Sequence, residues 1–183
     1  MIQLIKENRK ALRFLLVFVV TYLSLNTAYG LYINSYYPTS DPFTQWVSGQ
    51  VVWLLRFFDP DIRDFISSDG EYIAIANGRE NLIFVYEGCN GLNVFIVYLS
   101  FLLAFTGSLR QTIQFIFAGL IGIHVLNLGR ITALYGVAFY FPDQLYFFHK
   151  YLFTGIIYVI EFVLWYLWVK RVTAKNDSQV VAK

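Results

Sequence analysis

From Phe14 to Ile33 the chain carries no charged residue, and the stretch is long enough to cross a hydrocarbon core, which takes about 20 helical residues. Tyr151 to Val169 is a second such run, interrupted only by Glu161. A third, Ile113 to Phe141, is longer and is broken by Asn127 and Arg130, and a fourth, Leu92 to Thr106, reaches spanning length if its helix begins near Cys89. The runs are continuous rather than alternating, so helices are expected and a barrel is not. Composition agrees. The 183 residues are 57% hydrophobic and 14% charged, too little polar surface for a soluble domain. A net charge of +2 with no basic stripe gives no reason to expect a nucleic-acid partner.

The basic residues set the expected topology. Lys6, Arg9, Lys10 and Arg13 precede the first run, and Lys170, Arg171 and Lys175 follow the last, so both termini are expected on the cytoplasmic side. An even number of crossings follows, and four fits: spans near 14–33, 89–106, 113–130 with an extension to 141 allowed, and 150–169. Arg110, in the Gly107–Gln111 turn, then also falls inside. Residues 34–88 fall outside and hold eight acidic residues against Arg56, Arg63 and Arg79. The first run is read as an uncleaved helix, because its apolar part exceeds a signal peptide's and no small-residue cleavage site follows. The Asn176–Lys183 tail is expected to be polar and disordered.

Within the outer segment, Trp46 to Phe58 is too short to span. It reads as an interfacial helix with its Trp rings at headgroup level, or as a helix packed on the bundle. Glu71–Ala76 and Asn81–Tyr86 flank Asn77-Gly78, a hairpin signal. The predicted fold is thus an all-α integral membrane protein of about four transmembrane helices, a single domain over residues 1–183. Its outer loop carries an amphipathic helix and a β-hairpin.

The hairpin leads into Glu87-Gly88-Cys89-Asn90-Gly91. Cys89 is the only cysteine, so it forms no intrachain disulfide. A lone buried cysteine is ordinarily an inert packing group. Here it lies at the outer boundary, reachable by water, between glycines that allow close backbone approach. A following helix start also favours a thiolate. On the expected topology Arg130, three residues after Asn127, lies on the same face of the membrane, and so does His149 at the start of the last span. Alone, Arg130 is as readily a snorkelling arginine and His149 an interfacial histidine. Three reactive residue types from separate stretches meeting at one level is a stronger signal than any of them.

The set Glu-Gly-Cys89-Asn-Gly-Leu, Asn127-Leu-Gly-Arg130-Ile and His149 ahead of the last run resembles the exosortase/archaeosortase family of membrane cysteine transpeptidases. The size and four-span core are most similar to the short exosortase F type. Asn90 departs from the small Ser or Ala of many relatives. The resemblance implies Cys89 as nucleophile, His149 as general base and acid, and Arg130 as oxyanion or substrate-backbone partner. Asn127, Asn90 and Gly91 are supporting residues. It implies an exported protein substrate with a C-terminal transmembrane sorting signal, cleaved at the outer face of the bacterial cytoplasmic membrane. No cofactor and no metal are expected, since two histidines and one cysteine at different depths make no zinc set. The lipid bilayer is a partner, and a membrane accessory protein is allowed.

His124 and Glu161 lie deeper, by about 9 Å below Arg130 and 18 Å below His149 at 1.5 Å per residue. His124 is expected to be packed or hydrogen-bonded. Glu161 is an intramembrane carboxylate without a nameable partner. Gly119, Gly122 and Gly155 would let a sorting helix approach, or serve packing within the chain. Two rival functions remain open: a non-catalytic membrane assembly subunit, and a small proton-linked transporter using His124 and Glu161.

Overall fold

The structure, a computed structural model, describes residues 8–78, 80–105 and 107–181. Lys6, Arg79, Thr106 and the last two residues of the expected tail lie outside the described residues. The chain is mostly helical. Helix α1 (Arg9–Tyr36) leads to α2 (Pro42–Leu55), then to strands β1 (Ile62–Ile66), β2 (Ile73–Asn77) and β3 (Glu80–Val85). A 3-10 turn at Glu87–Cys89 precedes α3 (Leu92–Ala104) and α4 (Leu109–Tyr140). A helical run from Pro142, π-helical over Phe148–Phe153, continues into α5 (Thr154–Val181). The tail expected to be disordered is therefore the end of α5, which continues to Val181.

Three helical stretches are long and apolar enough to cross a membrane: Arg9–Tyr36, Leu109–Tyr140 and Pro142–Ala174. The fourth expected span, 89–106, contains only the 13 residues of α3. At 1.5 Å per residue that helix rises about 20 Å, short of a core of about 30 Å. Where α3 ends, at Phe105, Trp168 Nε1 donates to the Phe105 carbonyl at 3.2 Å. Around it, Tyr98, Leu102, Ile123, Trp168 and Val172 form one buried cluster. Gly119 of α4 is what permits this approach, since a Cβ there would lie 2.2 Å from the Tyr98 ring. Tyr98 then donates to the Phe115 carbonyl at 2.7 Å. Gly122 and Gly155 have nothing within 4 Å.

The second cluster lies at the other end of the bundle. α4 is a single helix as far as Tyr140, and its last turns are the spine of this layer: Ile131, Tyr135 and Ala138 pack with Val47, Val51, Val52 and Leu55 of α2 and with Ile62, Ile73 and Ile75 of the sheet. α2 is thus packed on the bundle along Val47, Val51 and Leu55, while Trp46 and Trp53 stay exposed on its other face. Asp41 starts α2, accepting from the Phe43 and Thr44 amides at 2.9 and 3.1 Å ahead of Pro42 at the first helical position. The sheet is antiparallel in the order β1-β2-β3. Gly78, at φ +63°, turns β2 toward β3. β1 is an addition that the sequence pattern does not announce: Phe65 and Ile66 are exposed, so it lacks a clean alternation.

The polar ends of the helices sort by position. Lys10 and Arg13 of α1 border one hollow with Val172 and Thr173 of α5, and Arg110 of α4 borders another with Arg171. These cations gather at one end of the bundle, and the sheet occupies the opposite end.

Candidate active site

Cys89 closes the 3-10 turn at the sheet end, and its Sγ lies 3.8 Å from His149 Nε2. The two residues are 60 positions apart in the chain. Both line a cavity of about 380 Å³ with β3 on one side and Ile131, Leu134 and Leu145 on the other. Cys89 is half-buried, which leaves its sulfur open to this cavity.

His149 owes its aim to the π-helical turn Phe148–Phe153. A π turn widens the helix by one residue and shifts the register of what precedes it, a device often found at functional sites. Thr154 steadies it, its hydroxyl donating to the His149 carbonyl at 3.0 Å. The Pro142–Ala174 helix has 33 residues, about 50 Å, longer than a hydrocarbon core of about 30 Å. His149 lies in its first turns, ahead of the apolar Tyr151–Val169 stretch. Its pKa is lowered from the usual imidazole value by burial and by the nearby Arg130 charge. That shift favours the neutral ring, the form able to accept a proton.

Arg130 stands on α4 between two groups that touch the site, Asn127 and Ile131. Its Nε is buried without a hydrogen-bond partner, and Arg130 itself is not among the residues that line the cavity. Asn127 is 1% exposed, and its Nδ2 donates to the Cys89 carbonyl at 2.9 Å. That bond fixes the backbone on which the sulfur is carried. Gly91, at φ +91°, caps α3, and a Cβ there would press on the Asn127 side chain at 3.2–3.5 Å. A side chain at 91 would therefore strain the backbone and displace Asn127 together.

Asn90 is fully buried and its side chain is committed inward. It donates to the Tyr29 hydroxyl at 3.1 Å and to Thr44 Oγ1 at 3.0 Å, and it accepts from the Leu92 amide at 2.9 Å. Tyr29 in turn donates to the Glu87 carbonyl at 2.8 Å, and Thr44 donates to Asp41. This network ties α1 and α2 to both ends of the Glu87–Gly91 loop. Asn90 thus braces the loop and does not face the cavity. Sequence reasoning passed over Tyr29, Asp41 and Thr44. The outer helix, expected over Trp46–Phe58, begins at Pro42 and ends at Leu55, so Asp41 and Thr44 fell outside the expected element.

His124 is held apart from this site: Nε2 bonds Gln50 Oε1 at 2.7 Å, and the ring stacks on Trp46 at 4.9 Å. Glu161 is 1% exposed, and neither carboxylate oxygen has a hydrogen-bond partner. No group of three or more His, Cys, Asp or Glu able to hold a metal ion occurs among the described residues.

No curated protein and no solved structure matches the chain. A sequence profile of the transmembrane exosortases does, over residues 6–169, which takes in the loop at Cys89, the Asn127–Arg130 turn and His149. Most of the chain being matched, it belongs to the transmembrane exosortase family.

Proposed function

We propose that this protein is a membrane cysteine peptidase of the transpeptidase type that removes C-terminal sorting tails from exported proteins. The observation that carries the reading is the 3.8 Å approach of Cys89 Sγ to His149 Nε2 in a shared cavity. His149 takes the thiol proton, and the sulfur adds to the scissile carbonyl. The C–N bond then breaks, the proton passes to the leaving amine, and a thioester remains on Cys89. Water or an acceptor amine releases it. Arg130 donates to the oxygen on which charge develops, and Asn127 holds the Cys89 backbone for the attack.

In this reading the protein lies in the bacterial cytoplasmic membrane with both termini inside, the three long helices crossing it and the shorter α3, entered from the Cys89 turn, taken as the fourth crossing. The basic residues gathered at one end of the bundle support that orientation, and the site at the opposite end then faces outward. The size supports assignment to the short exosortase F type. A transporter based on His124 and Glu161 is less well supported, because His124 is already bonded to Gln50.

The test replaces Cys89, Arg130 and His149 by Ala, one at a time, and follows processing of tail-bearing exported proteins in the host. Cys89→Ala should abolish processing. Arg130→Ala should lower turnover about 100- to 1000-fold, the usual cost of a lost oxyanion donor. Normal processing by all three variants would sink the reading.

A further inference from the structure

The cavity that holds Cys89 and His149 is bordered by Leu82, Ile83, Phe84, Val85 and Tyr86 without a gap. Side chains on a strand alternate between its two faces, so a hollow against one face would touch every other residue. An unbroken run means that the hollow borders the strand's edge, where backbone N–H and C=O groups project. β3 is an outer strand of the sheet, paired with β2 on one side only. Its unpaired edge therefore runs along the cavity and ends at the loop that carries the sulfur. An open edge is a template for another main chain, and proteins that leave one open beside a site use it to hold extended peptides.

We infer that the substrate binds as an added strand on the free edge of β3, its main chain recognised there and its scissile carbonyl delivered to Cys89. The inference rests on the peptidase reading above and concerns how that site holds its substrate. The occupant is an extended segment with small or apolar side chains, since Ile131, Leu134 and Leu145 line the opposite wall. Direction follows from the chain path. β3 points toward α3, and a substrate whose tail continues into the bilayer beyond the cut must run the same way, so the added strand is parallel to β3.

Peptidyl chloromethyl ketones test this on the full-length protein in detergent, because the thiol displaces chloride and records binding as a stable thioether. The probes are acetyl-Val-Val-Val-Gly chloromethyl ketone and versions N-methylated at one amide each. Iodoacetamide, which needs no peptide site, serves as control. Strand addition predicts that methylation at alternate amides slows labelling of Cys89 roughly tenfold, as expected for one lost hydrogen bond of about 1.4 kcal/mol. Methylation at the intervening amide should leave the rate unchanged. Equal labelling by all the peptides overturns strand addition while leaving the nucleophile reading intact. Should His149→Ala leave the iodoacetamide rate on Cys89 unchanged as well, the peptidase reading fails and the strand proposal with it.

Discussion

Asn90 shows how a residue beside the proposed nucleophile can matter without touching substrate. Both donors of its amide and one acceptor lone pair are used, and each partner belongs to a different element: Tyr29 on α1, Thr44 on α2 and Leu92 at the start of α3. Asn90→Ala strands the Leu92 amide and removes a donor from the buried Thr44 hydroxyl and the half-buried Tyr29 hydroxyl. Leaving buried groups unsatisfied costs about 1–3 kcal/mol. For a chain of this size each kcal/mol lowers the melting temperature by about 2–4 °C. A thermal melt in detergent should show that drop, and an unchanged melt would remove the bracing role. From the sequence Asn90 read only as a supporting residue that departs from the small Ser or Ala of many relatives, because adjacency to Cys89 is visible there and the direction of a side chain is not.

At the scale of elements, α3 and α4 meet through one glycine. Gly119 and Gly122 are alike in sequence, a turn apart on an apolar helix, yet a Cβ at 119 meets the Tyr98 ring at 2.2 Å and one at 122 meets nothing within 4 Å. The same substitution should therefore have opposite outcomes. Gly119→Ala forces Tyr98 from its buried seat and its bond to Phe115, with overpacking costs of about 1–3 kcal/mol. Gly122→Ala is neutral or stabilising, up to about 1 kcal/mol from helix propensity. Melting temperatures of the purified variants check this, and equal shifts would contradict the packing. The elements themselves were largely legible. α1, α4 and α5 follow from long apolar runs, charge-free in α1 and interrupted by Arg130 in α4 and Glu161 in α5, and β2 and β3 from the strand patterns around Asn77-Gly78. β1 was not, because its exposed Phe65 and Ile66 blur the period. The π turn at Phe148–Phe153 was not either, since a register shift leaves no mark in composition.

For the whole molecule the open question is sidedness. Cys89 is the only cysteine, so a single label reports where the site faces. A membrane-impermeant maleimide should modify it in intact spheroplasts, and Cys89→Ala should abolish the signal. Labelling only after permeabilisation would reverse the proposed orientation. The sequence by itself determined that the chain lives in a bilayer and where its long helices run. In lipid each backbone group must be satisfied within its own segment, so a helix of that kind is written in consecutive residues. It also named the candidate site residues. Only the tertiary structure decided what they meet: Cys89 with His149 across 60 positions, Asn90 with Thr44 across 46, and β3 with the cavity that both Cys89 and His149 line. Those contacts come from packing α2, the sheet and the end of α4 into one core, and no local pattern in the chain encodes which face of each element turns inward.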